Sequence, residues 1–209
     1  TVKVRMEEAG DAIMSEQSRI ASIKNTNRWD TRQLVTMGLM TALAALLSFV
    51  QFPIFPGADF LKYDPSLAAS MVVGFAYGAG PGMVVALLAA TIQGLIMGNW
   101  IGALMNYVAA LCFILPASLI YKRFHTFKGA IGGLLVSIVV VVVGNCASNL
   151  TLGVWFFYGS ADAILPLMLP AVIPFNIMKA GLNSLLALAV YKTVSNLITP
   201  KKDQVKGRE

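Results

Sequence analysis

Three side chains near the C-terminal end have the types and spacing to hold a polar ligand: Asn176, Lys179 and Asn183. Placed at i, i+3 and i+7, they share one face of a helix. The run around them, from Pro174 to Leu186, is otherwise apolar. A lysine well inside an apolar span costs about 2.5–3.5 kcal/mol on insertion scales, so a partner, a water-filled cavity or a ligand has to offset it. The plainer alternative is a lysine that snorkels to the interface or answers a buried polar neighbour. The chemistry on offer is recognition: an ammonium and amides donating to carbonyl and hydroxyl oxygens. No nucleophile–base pair stands beside them, and no catalytic role is expected.

The elements that must hold these residues are membrane spans. Of 209 residues, 57% are hydrophobic and 12% charged, against roughly 25% charged in soluble domains. Six apolar segments, at about 33–53, 65–79, 81–97, 100–121, 128–156 and 165–198, each approach bilayer length. The expected fold is an all-α integral membrane protein with six transmembrane helices and both termini cytosolic. Residues 1–32 are expected to be a polar, charged cytosolic lead-in, with no cleavable signal peptide expected before the first span. Residues 33–198 form the membrane domain and 199–209 a basic cytosolic tail. Asp30 is placed to cap the first helix. All of the 16 Lys/Arg except Lys62 and Lys179 fall before the first span, in 122–128, or from Lys192 onward. That asymmetry sets the orientation and explains the net charge of +6 without nucleic acid.

With this orientation the polar residues gather at one depth. Asn106, Asn145, Ser148, Asn149 and Thr151 fall in outer halves of spans, with Gln93 and Asn99 toward the outer end of the third and Asp64 at the outer start of the second. The inner halves hold little comparable, so a site opening outward is expected and no continuous polar path. A channel or pump needs polar groups at all depths; the rival reading, an autonomous secondary transporter, needs coupling-ion carboxylates within the spans, whereas Asp64 and Asp162 lie at their edges. A membrane enzyme needs a base, yet the sole histidine, His125, lies in the basic loop on the other side. A bare scaffold leaves Lys179 unexplained. Cys112 and Cys146 sit in apolar runs without metal-ligand spacing and are expected to pack; no metal is expected. Tyr77-Gly-Ala-Gly-Pro-Gly82 is a turn, since no Gly-Lys-Ser/Thr ending of a nucleotide loop follows.

Two further stretches carry alternatives. Phe52 to Asp64, with Phe60 and Tyr63, is rich in aromatics and prolines: either an interfacial belt or a lid whose rings contact a flat ligand. Trp155-Phe-Phe-Tyr158 has the same two readings, with the belt preferred. In the first span, Gly38 and Ala42 are four apart, as are Thr41 and Ala45; such spacing serves packing within the chain or docking of a partner membrane protein. Lys179 and Asp64 are expected to pair if the lid brings them together.

Several runs carry a family resemblance: Phe52-Pro-Ile-Phe-Pro with Leu61-Lys-Tyr-Asp-Pro-Ser66, Gly74-Phe-Ala-Tyr-Gly78 with Gly82, Gly102-Ala-Leu-Met-Asn106, Pro116-Ala-Ser-Leu-Ile-Tyr-Lys122, and Phe175-Asn-Ile-Met-Lys179 with Asn183-Ser-Leu-Leu186. Over roughly 33–198 the chain resembles the substrate-binding S components of energy-coupling-factor (ECF) vitamin transporters, most closely the riboflavin-specific ones. The resemblance implies a six-helix prokaryotic plasma-membrane protein that binds a vitamin on its outer side. It also implies partners, a transmembrane coupling subunit and two cytosolic ATPases, with the binder toppling to release its cargo. Asn176 and Lys179 then look like the pair that contacts the flavin, and Asn145 or Asn149 like the polar contact on the fifth span. Asp64 looks like the acid anchoring the first loop, and Gly38, Ala42 and Ala45 like the docking strip. Riboflavin is cargo, not cofactor. Ala103, where the family often has an acid, and Thr91-Ile-Gln93, where it often has Lys-Asn, depart from the pattern and leave another vitamin or cofactor precursor as the alternative ligand.

Overall fold

A computed structural model describes residues 30–55, 58 and 60–198, with side chains to Tyr191. The expectations for most of the lead-in and for the tail fall on 1–29 and 199–209, outside the described residues. The chain divides into two units, Thr1–Leu34 and Val35–Glu209.

The chain is mostly helical. Helix α1 runs over Thr31–Ser48, α2 over Ser66–Tyr77, α3 over Ala79–Met97, α4 over Trp100–Phe124 and α5 over Phe127–Ser148. The last continues as a π-helix, π1, at Asn149–Tyr158; α6 at Ala161–Leu167, a π turn at Met168–Val172 (π2) and α7 at Ile173–Ile198 follow. Glycines set the sharp reversals: Gly78 at φ 99° separates α2 from α3, and Gly98 at φ 65° closes α3. Asn99 then caps α4, its side chain accepting from Gly102 N–H at 2.9 Å, and Thr126 caps α5 through Gly129 N–H at 3.0 Å. Pro166, Pro170 and Pro174 remove amide donors around π2, where the helix loosens.

Helix α2 lies at the centre, buried continuously from Leu67 to Phe75. Met71 and Phe75 pack with Phe113, Ile114, Leu134, Ala180 and Ala187 from α4, α5 and α7. Small residues let backbones touch: a Cβ on Gly82 would stand 2.6 Å from Gly74 Cα, and one on Gly133 would meet the Ala117 carbonyl. Leu135, Val139, Val143 and Leu185 point outward, as apolar residues facing lipid must.

Among the described residues, four helical stretches are long and apolar enough to cross a membrane: Ala79–Met97, Trp100–Phe124, Phe127–Tyr158 and Ala161–Tyr191. Two of the six expected spans differ. Helix α2 has 12 residues, about 18 Å at 1.5 Å per residue, short of the roughly 30 Å hydrocarbon core. Helix α1 ends at Ser48 rather than near 53, and its first turn, Thr31-Arg32-Gln33, is polar. The fold is also not wholly α. Phe52–Pro53 pairs antiparallel with Lys62–Tyr63 in a two-residue ribbon, because that stretch is extended by its prolines rather than helical.

Candidate functional site

The ribbon, the ends of α3, α4 and α5, π1 and α7 enclose a cavity of about 700 Å³, within the 300–1,000 Å³ of small-molecule sites. One wall is polar. Helix α7 presents Asn176 and Lys179, α5 presents Asn145, and π1 presents Asn149; Gln93 of α3 and Asn106 of α4 face them. The rest is apolar or aromatic: Phe60, Leu61, Met97, Met105, Phe157, Tyr158 and Phe175.

Lys179 is answered within the protein. Its Nζ donates to Asp64 Oδ2 at 2.8 Å, and both side chains are almost fully buried. The expected pair is therefore formed. Asp64 is held in turn: its Oδ1 accepts from the Ser66 backbone N–H at 3.2 Å and from the Ser66 hydroxyl. Lys179 keeps further N–H donors for the cavity it lines.

The amides form a chain along the wall. Tyr158 donates its hydroxyl to Asn149 Oδ1 at 3.3 Å, and Asn149 Nδ2 donates to the Asn145 carbonyl at 2.8 Å. Asn145 Nδ2 donates to Asn176 Oδ1, and Asn176 Nδ2 donates to the Val172 carbonyl at 2.8 Å. Asn145 Oδ1 receives no hydrogen bond from the described residues. The wall thus offers an open acceptor at Asn145 together with spare N–H donors on Asn176 and Lys179. Asn145 and Asn149 both line the cavity, but Asn149 has its oxygen engaged by Tyr158, so Asn145 has the freer head.

Two expected ligand residues play other parts. Asn183 is 0% exposed and outside the cavity wall. Its Oδ1 accepts from Ala68 N–H at 2.9 Å, and its Nδ2 donates to the Asp64 and Lys179 carbonyls, each at 3.0 Å. All its capacity toward the core is consumed in fastening α2 to α7. Tyr63 is likewise buried behind the wall, its ring 5.3 Å from that of Phe52. Burial, then the neighbouring Asp64 carboxylate, push its phenol above the ordinary value. Phe60 does line the cavity and meets Tyr158 edge-on at 6.0 Å across its mouth.

Gln93, expected only as part of the outer polar cluster, and Phe157 and Tyr158, whose run was read by preference as a belt, all line the cavity. Of the Trp155–Tyr158 aromatics, Trp155 is 84% exposed and suits a belt, while Tyr158 turns inward. In the proposed docking strip, Gly38 and Ala42 are exposed, whereas Ala45 is 6% exposed and packs inward with Ala44 and Ser48. Ala45 is therefore corrected from surface to packing residue. Cys112 and Cys146 are free thiols. Among the described residues, no three or more His, Cys, Asp or Glu gather to hold a metal ion.

The family model for the ECF transporter substrate-specific component matches residues 32–191. The chain is 28% identical over 184 residues to a riboflavin transporter, RibU, of Staphylococcus aureus (strain TCH60), covering 84% of this chain and 96% of that one. It is 27% identical over 160 residues to the riboflavin transporter FmnP of Bacillus subtilis (strain 168), covering 71% and 84%. A solved structure, the S component of a bacterial ECF transporter, superposes with a TM-score of 0.71 at 27% identity over 80% of this chain and 98% of that one. The chain belongs to the family of substrate-specific components of ECF transporters.

Proposed function

We propose that this chain captures riboflavin on the outer face of a bacterial plasma membrane and delivers it inward with a transmembrane coupling subunit and two cytosolic ATPases. It crosses the membrane six times with both termini in the cytosol. The distribution of Lys and Arg supports that orientation.

The observation that carries the ligand assignment is the open acceptor of Asn145 together with donor groups of Asn176 and Lys179 on one wall of a cavity of about 700 Å³. The pyrimidine edge of a flavin presents two carbonyls and an N–H, groups that these donors and this acceptor can pair. The flat dimethylbenzene end suits Met97, Met105 and the aromatic rings, and the ribityl hydroxyls suit Gln93 and Asn106. The riboflavin-transporter names of the relatives support the same ligand.

A fluorescence-quenching titration of the purified protein tests this reading. Saturable one-to-one quenching of riboflavin, not relieved by excess thiamine, is the expected result. Absence of quenching, or displacement by thiamine, counts against it.

A further inference from the structure

Helix α1 ends at Ser48, and its last four carbonyls have to find partners outside the helical ladder. Three are met locally: Ser48 Oγ donates to the Ala45 carbonyl at 2.6 Å, Phe49 N–H to Leu46 at 3.2 Å and Val50 N–H to Leu47 at 3.1 Å. The fourth, the carbonyl of Ser48 itself, is met from α3. Gln93 Nε2 donates to it at 2.7 Å, while Gln93 Oε1 accepts from Asn106 Nδ2 at 3.1 Å.

Gln93 and Asn106 both line the ligand cavity. They also border a smaller void of about 10 Å³ shared with Ser48, Asp64, Ser70 and Lys179, about the room one water needs. Ser48 and Gln93 are both buried, so bulk water does not replace either bond cheaply. A carboxamide is planar and rigid. Turning Gln93 to follow Asn106 on one side moves its donor against Ser48 on the other.

We propose that Gln93 is a positioning residue that transmits cavity occupancy to the C-terminal end of α1, the helix whose Gly38 and Ala42 are exposed. A ligand hydroxyl bound to Asn106 fixes that amide, fixes Gln93 through it, and tightens the hold on Ser48. The inference rests on riboflavin being the occupant, and it assigns a regulatory consequence to the same site.

Hydrogen–deuterium exchange of residues 44–51, with and without riboflavin, is the test, in the purified protein and in Gln93→Met and Asn106→Leu. Riboflavin is expected to slow exchange of this segment severalfold in the unaltered protein. Gln93→Met keeps the side-chain length but neither hydrogen bond. It should raise exchange without ligand and abolish the riboflavin effect, while affinity falls by no more than about tenfold, the scale of one hydrogen bond. Asn106→Leu should leave ligand-free exchange as it was and also abolish the riboflavin effect. If the unaltered protein binds riboflavin and 44–51 does not respond, or if the response survives Gln93→Met, the coupling is wrong. If the unaltered protein does not bind riboflavin, the functional reading itself fails and the coupling with it.

Discussion

Lys179 Nζ lies 2.8 Å from Asp64 Oδ2, joining residues 115 apart in the chain inside the wall of the cavity. The ammonium is thus held from one side by a carboxylate and left with donors on the other. Because both groups are buried, removing one partner leaves the other charge uncompensated, at a cost of about 3–5 kcal/mol. Lys179→Met should therefore lower thermal stability in detergent and reduce riboflavin affinity by a hundredfold or so, on the scale of a lost charged hydrogen bond plus reorganisation. The double variant Lys179→Met/Asp64→Asn should recover most of the stability but not the affinity. Lys62→Ala, at the exposed rim, should change affinity far less. Unfolding curves and quenching titrations on the four proteins decide it.

Asn183→Ala should behave differently from a cavity variant. It removes one of two acceptors of Ala68 N–H, which also donates to the Pro65 carbonyl at 3.2 Å, and the amide donor to the Asp64 and Lys179 carbonyls, all in a buried region, each lost hydrogen bond being worth about 0.5–1.5 kcal/mol. The expected outcome is a large drop in melting temperature, with the protein that remains folded still binding ligand. Asn145→Ala should do the reverse: little loss of stability and roughly tenfold weaker binding, as befits one neutral hydrogen bond in a buried site.

A Cβ at Gly153 would stand 2.8 Å from the Tyr158 ring. Gly153→Val should push that ring off Asn149 and away from Phe60, opening the mouth of the cavity. Stopped-flow measurement should show faster riboflavin dissociation with a smaller change in association.

Nothing lies within 4 Å of a Cβ built on Gly38. Gly38→Leu is therefore expected to leave folding and riboflavin affinity unchanged while abolishing uptake into riboflavin-dependent cells. Ala45→Leu, in a buried position, should instead destabilise the chain by overpacking, by about 1–3 kcal/mol.

The membrane class, the succession of helices and the pairing of Lys179 were legible in the sequence because each follows from composition or from the cost of an isolated charge. The role of Asn183 was not. Its i+4 relation to Lys179 puts it on the right face, but spacing does not say where along that face the cavity ends and the core begins. Tyr158 was hidden for a different reason. In an α-helix, nine residues past Asn149 is about two and a half turns, on the opposite side. The wider winding of π1 brings the phenol back to Asn149. Gln93 gave no periodic signal, since its partner is a single helix-end carbonyl on another element.

The most direct test of the central claim is an experimental structure of the riboflavin complex. The account predicts the pyrimidine edge of the flavin within 2.7–3.2 Å of Asn145, Asn176 and Lys179, with Lys179 still paired to Asp64. A flavin bound elsewhere, or lying in the cavity with that edge turned from these three residues, would contradict it.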